Sequence, residues 1–168
     1  MLKFKELWDK YPTIQGDDAP CMTNGEKNFL NQCAIRMGAC LASNGVDTLN
    51  LVPKDRHCWH HNISLGHVLS AEELARGFDR YPISGLEKKV LVDPLSYQKT
   101  ISGKTGIIFC KDFWKRPGET FRNRSGDHID LWNGSRLTDW RTWFIISATF
   151  NTGGNYGKSK EIWFWNVK

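Results

Sequence analysis

Three side chains stand apart by type and setting: Cys33 in "NQCAIRMG", His128 in "SGDHIDLWNG" and Asp139 in "TDW". Cys33 falls in the first turn of a helical pattern that follows a loop. Unpaired N–H groups and the helix dipole at such a position favour a thiolate over a thiol. A thiolate needs a general base within hydrogen-bond reach, and the base needs an orienting partner. Four of the five histidines, His57, His60, His61 and His67, crowd one short stretch, whereas His128 stands alone on the strand pattern "HIDLW". A strand, a short turn at Asn133-Gly134-Ser135 and a returning strand would set Asp139 beside His128. Asp130 is the rival orienter. Two residues along the same strand it faces the same side, at a distance from which it is not expected to reach around the ring. A nucleophile at a helix start facing a base and its orienter on adjacent strands is the geometry of a thiol hydrolase.

The elements that must hold these groups are readable. Phe4, Leu7, Trp8 and Tyr11 fall at helical spacing, and Pro12 marks the end of that segment. "TIQGDDAPCMTNGEKN" is dense in turn formers and reads as a loop. From about 31 to 43 the pattern is helical, with Ala34, Ile35, Gly38 and Leu41 on one face and Asn44-Gly45 closing it. Ser70-Ala-Glu-Glu73 is a capping box, in which Ser70 caps the first turn and Glu73 reaches back, so a helix is predicted over 71–80. After Pro82 the texture changes. "TGIIFCKDFW", "DHIDLW", "RTWFIISATF" and "KEIWFWNV" are short, β-branched and aromatic, separated by Gly, Asn and Ser clusters. Helices first and strands later argue for α+β with a mostly antiparallel sheet, in one domain over 1–168.

Composition bounds the function. The 168 residues carry 23 Lys and Arg against 18 Asp and Glu, a formal charge of +5. That excess favours an anionic partner such as a cell-wall polymer or an acidic protein. No basic repeat or RNA-binding signature accompanies it, so nucleic acid is not expected. No apolar run is long enough for a bilayer, and "MLKFKELWDKYP" is broken by charges and lacks a secretory signal. The reading is a protein made in the cytoplasm and exported, if at all, by another route. The densest basic stretch, "KRPGETFRNR", precedes His128 and is a candidate rim for a cleft. The tryptophans at 132, 140, 143, 163 and 165 are expected mostly in the sheet core.

"NQCAIRMG", then "SGDHIDLWNG", then "TDW" resembles the type VI secretion amidase effectors of family four, in the NlpC-like branch of the papain-like cysteine peptidases. The resemblance implies a papain-like α+β fold with N-terminal helices and the nucleophile at a helix start. It also implies a toxin acting in a competitor's periplasm, where it cuts peptidoglycan stem peptides between D-glutamate and meso-diaminopimelate. A cognate immunity protein would block the site, and the type VI machinery would deliver the toxin. By that match Cys33 is the nucleophile, His128 the base and Asp139 the orienter. Where papain keeps an oxyanion glutamine six residues before its cysteine, this chain has Lys27. The Cys33 backbone N–H is then the expected donor, with Gln32 and Asn31 as candidates for the second. Gly126 and Asp127, next to His128, complete the candidate substrate-contacting set.

Neither metal nor cofactor is called for. "HCWHH" offers His57, Cys58, His60 and His61, but structural zinc sites generally recruit two ligand pairs separated by a loop, and no second pair is evident. Two rival functions share these features: a non-catalytic wall-binding module, and a cysteine acyltransferase passing the acyl group to an amine.

Overall fold

The computed structural model describes residues 1–139 and 155–168, which form two compact units, Met1–Leu86 with Lys168, and Glu87–Val167. The expected strand "RTWFIISATF" and Trp140 and Trp143 lie outside the described residues.

In the first unit, α1 (Phe4–Asp9) buries Phe4 and Leu7 and ends two residues before Tyr11. Pro12 opens a separate 3-10 turn over Pro12–Gln15, because a proline cannot continue a helix but fits its first turn. Two short strands, β1 (Met22–Thr23) and β2 (Glu26–Lys27), pair antiparallel. Their turn is Asn24-Gly25, with both residues at positive φ, as a two-residue hairpin demands.

Helix α2 (Cys33–Ser43) buries Ala34, Ile35, Met37, Gly38, Cys40 and Leu41, and Gly45 follows its cap at φ 78°. Gly38 is a requirement of packing. A Cβ there would lie 2.0 Å from the Gly66 carbonyl oxygen, so the absence of a side chain lets the 57–67 loop lie against the helix. Helix α3 (Ala71–Arg80) buries Leu74 and Phe78 and starts at Ser70, whose hydroxyl accepts from Glu73 N–H. Only half of the expected capping box forms. The Glu73 carboxylate turns instead to Arg56, accepting from Nε at 2.8 Å and Nη2 at 2.6 Å.

In the second unit, β3 (Val90–Val92), β4 (Gly106–Trp114), β5 (Gly126–Trp132) and β6 (Glu161–Asn166) make an antiparallel sheet in the order β3-β6-β4-β5. A short helix, α4 (Tyr97–Thr100), precedes β4. Ile107, Ile108, Phe109 and Cys110 of β4 are all buried, so both faces of this central strand are covered, and its continuous apolar run follows from that. One face gathers Ile108, Cys110, Ile162 and Phe164 with Val92, Tyr97, Ile101, Trp132, Leu137 and Tyr156. The register sets Asp130 opposite Ile108 and His128 opposite Cys110, on that same face. The other face buries Phe109 against Trp163, and Trp163 against Trp165. Trp132, Trp163 and Trp165 are therefore core, as expected.

Candidate active site

Cys33 is the first residue of α2 and half-buried, while Cys21, Cys40, Cys58 and Cys110 are buried. The loop feeding it is fixed by the residue just before it. Gln32 is 4% exposed; its Nε2 donates to the carbonyls of Cys21 (2.9 Å) and Phe29 (3.2 Å), and its Oε1 accepts from Cys21 N–H (2.9 Å). Both amide hydrogens of Gln32 are thus engaged with backbone, which corrects the expectation that it donates into the site. It is a clasp on the preceding loop, and it makes no side-chain cap on α2. Asn31 is exposed beside it, and Lys27 is exposed on β2.

His128 sits on β5 with a side chain 13% exposed. Its ring packs against both Tyr156 (centroids 5.3 Å, planes 32° apart) and Phe113 (6.1 Å, 74°), whose rings also touch each other at 4.9 Å. Two aromatic walls limit the imidazole's rotation. Burial, and then neighbouring Cys110 and Asp130, push the Tyr156 phenol well above its ordinary range, so this wall stays neutral.

Asp130 reaches the ring after all: its Oδ2 lies 3.6 Å from His128 Nε2. The expectation that it stands too far away is corrected, because on a pleated strand the i and i+2 side chains share a face and a buried carboxylate can lean along it. Its other oxygen is taken by Leu131 N–H (2.7 Å) and the Thr138 hydroxyl. The expected turn is present. Asn133 Oδ1 accepts from Ser135 and Arg136 N–H, Gly134 takes φ 99°, and Leu137 pairs back with Trp132. Asp139 therefore follows a residue, Thr138, that is anchored on Asp130.

The other two candidates next to His128 have structural partners. A Cβ on Gly126 would fall 2.3 Å from the Trp114 indole, so the space beside this glycine is filled by Trp114. The Asp127 carboxylate accepts from Asp112 N–H at 2.9 Å, tying down a bulge where β4 and β5 shift register between Cys110 and Trp114. Asp112 has φ 50° there. These contacts shape the β4–β5 end that carries His128.

The basic stretch before His128 is the β4–β5 connection, and it is laced to itself. Glu119 accepts from Arg116 N–H, Ser125 N–H and the Ser125 hydroxyl, which hold its carboxyl below the usual carboxylate range, Ser125 foremost. The Arg124 guanidinium is buried, donates to the carbonyls of Phe121 and Lys158, and stacks 3.9 Å from the Phe121 ring.

The histidine-rich stretch divides. His57 donates from Nδ1 to the Pro53 carbonyl and accepts at Nε2 from the Thr48 hydroxyl, each at 3.0 Å. His60 packs on Phe29 and Trp59. Cys58 and His61 instead converge with Cys21 and His67. That second pair comes from the loop before β1 and from beyond the motif, where sequence spacing does not show it. Burial and Cys58 push the Cys21 thiol up to about 11, and burial followed by His61 pulls His67 down.

No curated protein matches the chain. Solved structures do. The effector of the Tae4/Tai4 effector–immunity system from Salmonella typhimurium is similar with a TM-score of 0.62 and 19% identity, covering 100% of this chain and 99% of that one. A Tae4–Tai4 effector–immunity complex from Enterobacter cloacae gives 0.62 at 16% identity, with 100% and 99% covered. At such identity these likenesses establish the fold alone, an α+β fold shared with those structures. The family itself is set by sequence: residues 29–165 match the family described as type VI secretion system amidase effector protein 4, Tae4. With most of its length inside that match, including Cys33, His128 and Asp139, the chain belongs to the Tae4 family of type VI secretion amidase effectors.

Proposed function

We propose that this amidase is a cysteine DL-endopeptidase that hydrolyses peptidoglycan stem peptides between D-glutamate and meso-diaminopimelate, delivered by a type Vi secretion system into the periplasm of a competing bacterium. The observation that carries the reading is the family match over residues 29–165, which contains a helix-start cysteine and a strand histidine walled by aromatics. His128 takes the Cys33 proton and the thiolate attacks the scissile amide carbon. The Cys33 backbone N–H at the start of α2 donates to the oxyanion. The amine leaves with the proton from His128, and water, activated by the same imidazole, clears the thioester. Asp139 orients the imidazole, and Asp130 adds a second carboxylate at its edge. In this reading residues 1–168 act as one amidase domain.

An immunity protein that covers the site is part of the proposal, supported by the effector–immunity pairing of the solved relatives. Digestion of purified sacculi followed by mass analysis tests the reaction. Fragments with a new D-glutamate carboxylate and a new diaminopimelate amine are expected from the wild type and absent with Cys33→Ala. Intact stem peptides after wild-type digestion, or transfer to an added amine in place of hydrolysis, would overturn it.

A further inference from the structure

Away from Cys33, four side chains of the first unit converge in a way that the amidase chemistry does not use. One ligand-capable atom from each of Cys21, Cys58, His61 and His67 lies within 4.8 Å of the other three. Cys21 Sγ is 3.2 Å from Cys58 Sγ, and His61 Nδ1 is 3.5 Å from each sulfur. Zinc bound at about 2.3 Å to sulfur and about 2.0–2.1 Å to nitrogen sets its tetrahedral ligands about 3.3–3.8 Å apart. The observed spacings are close to that frame.

Independent contacts prepare each group for a cation. His61 Nε2 lies 3.1 Å from the Met22 carbonyl; a carbonyl only accepts, so the hydrogen is on Nε2 and the Nδ1 lone pair faces the sulfurs. Outer partners of this kind are what fix a metal-binding imidazole. Both sulfurs receive N–H donors suited to thiolates, His60 N–H to Cys58 at 3.3 Å and Asn28 Nδ2 to Cys21 at 3.6 Å. His67 is 5% exposed, and its Nδ1 is buried with no hydrogen-bond partner among the described residues. An orphaned buried nitrogen costs stability unless something binds it. Apolar packing from Ile35, Phe29 and Leu69 surrounds the two cysteines.

We propose that Cys21, Cys58, His61 and His67 form a structural zinc site. Two thiolates and two imidazoles are a zinc-type donor set, and four protein ligands leave no open position for chemistry. Binding forms two Zn–S and two Zn–N bonds and releases the two thiol protons to solvent. The cation joins the loop before β1 to the 57–67 loop. It adds to the His61–Met22 hydrogen bond between them and to local pairing within the second loop, where Cys58 N–H donates to the His67 carbonyl and His57 bridges to Val68. Because Gln32 is clasped on the Cys21 backbone, the same cation steadies the approach to α2.

The test is metal analysis of the full chain, purified under reducing conditions without chelator from zinc-supplemented cells. About one zinc per chain is expected, and Cys21→Ser or His67→Gln should lower it about tenfold or more. His60→Ala, whose ring lies outside the cluster, and Cys33→Ala should both retain it, so the result does not depend on the amidase reading. Where a ligand variant fails to fold, cobalt exchange into the wild type serves, and the visible absorption of tetrahedral thiolate-bound cobalt is expected. Zinc below about 0.1 per chain, unchanged zinc in the ligand variants, or a cobalt spectrum without thiolate character would overturn the proposal. So would a Cys21–Cys58 disulfide peptide recovered from the reduced preparation.

Discussion

Cys33→Ala should lower stem-peptide hydrolysis by at least about a thousandfold while circular dichroism stays unchanged, since loss of a nucleophile removes the covalent path and little packing. Iodoacetamide should label Cys33 ahead of the four buried cysteines, which peptide mapping would show. The two candidate orienters, Asp139 and Asp130, are separated by a paired experiment. Asp139→Asn should cost about a thousandfold or more in kcat, in the range seen when an orienting carboxylate is neutralised. Asp130→Asn should cost only about tenfold, because one of its oxygens serves Leu131 and Thr138 rather than the ring. A deeper loss for Asp130→Asn would transfer the orienting role to it. The sequence marks Cys33 and His128 because each is alone in its setting. It does not show how Asp130 leans, since strand periodicity fixes a face but not a reach. Nor does it show the fate of Gln32, Gly126 and Asp127, whose partners Cys21, Trp114 and Asp112 are set by tertiary packing.

At the scale of elements, helices α2 and α3 and strands β4, β5 and β6 follow from apolar periodicity and turn residues, with boundaries within a residue or two of those expected. Strands β1, β2 and β3 are too short to carry a period, so they go unseen. Half of the Ser70–Glu73 box is lost because a guanidinium fork offers the carboxylate two charge-assisted bonds in place of one backbone N–H. Gly38→Ala tests the contact between α2 and the 57–67 loop. With 2.0 Å to the Gly66 oxygen, overpacking should outweigh any gain in helix propensity and destabilise by about 1–3 kcal/mol, read from thermal melts. The β4–β5 connection has its own pH response. Its Glu119 carboxyl is depressed, so the contribution is fully present above the unfolded value near 4.5 and is lost as pH falls through the lower folded value. Protection factors of the Arg116 and Ser125 amides, corrected for intrinsic exchange, should therefore fall as pH drops below 4.5 while those of β5 amides hold.

For the molecule as a whole, the proposed wall substrate makes toxicity depend on place. Expression directed to the periplasm should lyse cells, whereas cytoplasmic expression should not, and co-expression of a cognate immunity protein should rescue the first; optical density and microscopy read both. Equal toxicity in the two compartments would argue against a wall target. The positive charge suits an anionic polymer and an acidic inhibitor alike. The clasp that Gln32 makes on Cys21 has a last consequence. Because its amide is tied backwards into the loop, Gln32 itself gives the opening turn of α2 no side-chain cap, where serine or aspartate would at an ordinary helix start. A ligand oxygen arriving there meets the aligned N–H dipoles of the first turn. This helix end trades a capping bond for readiness, so a better-capped variant should melt higher and turn over more slowly.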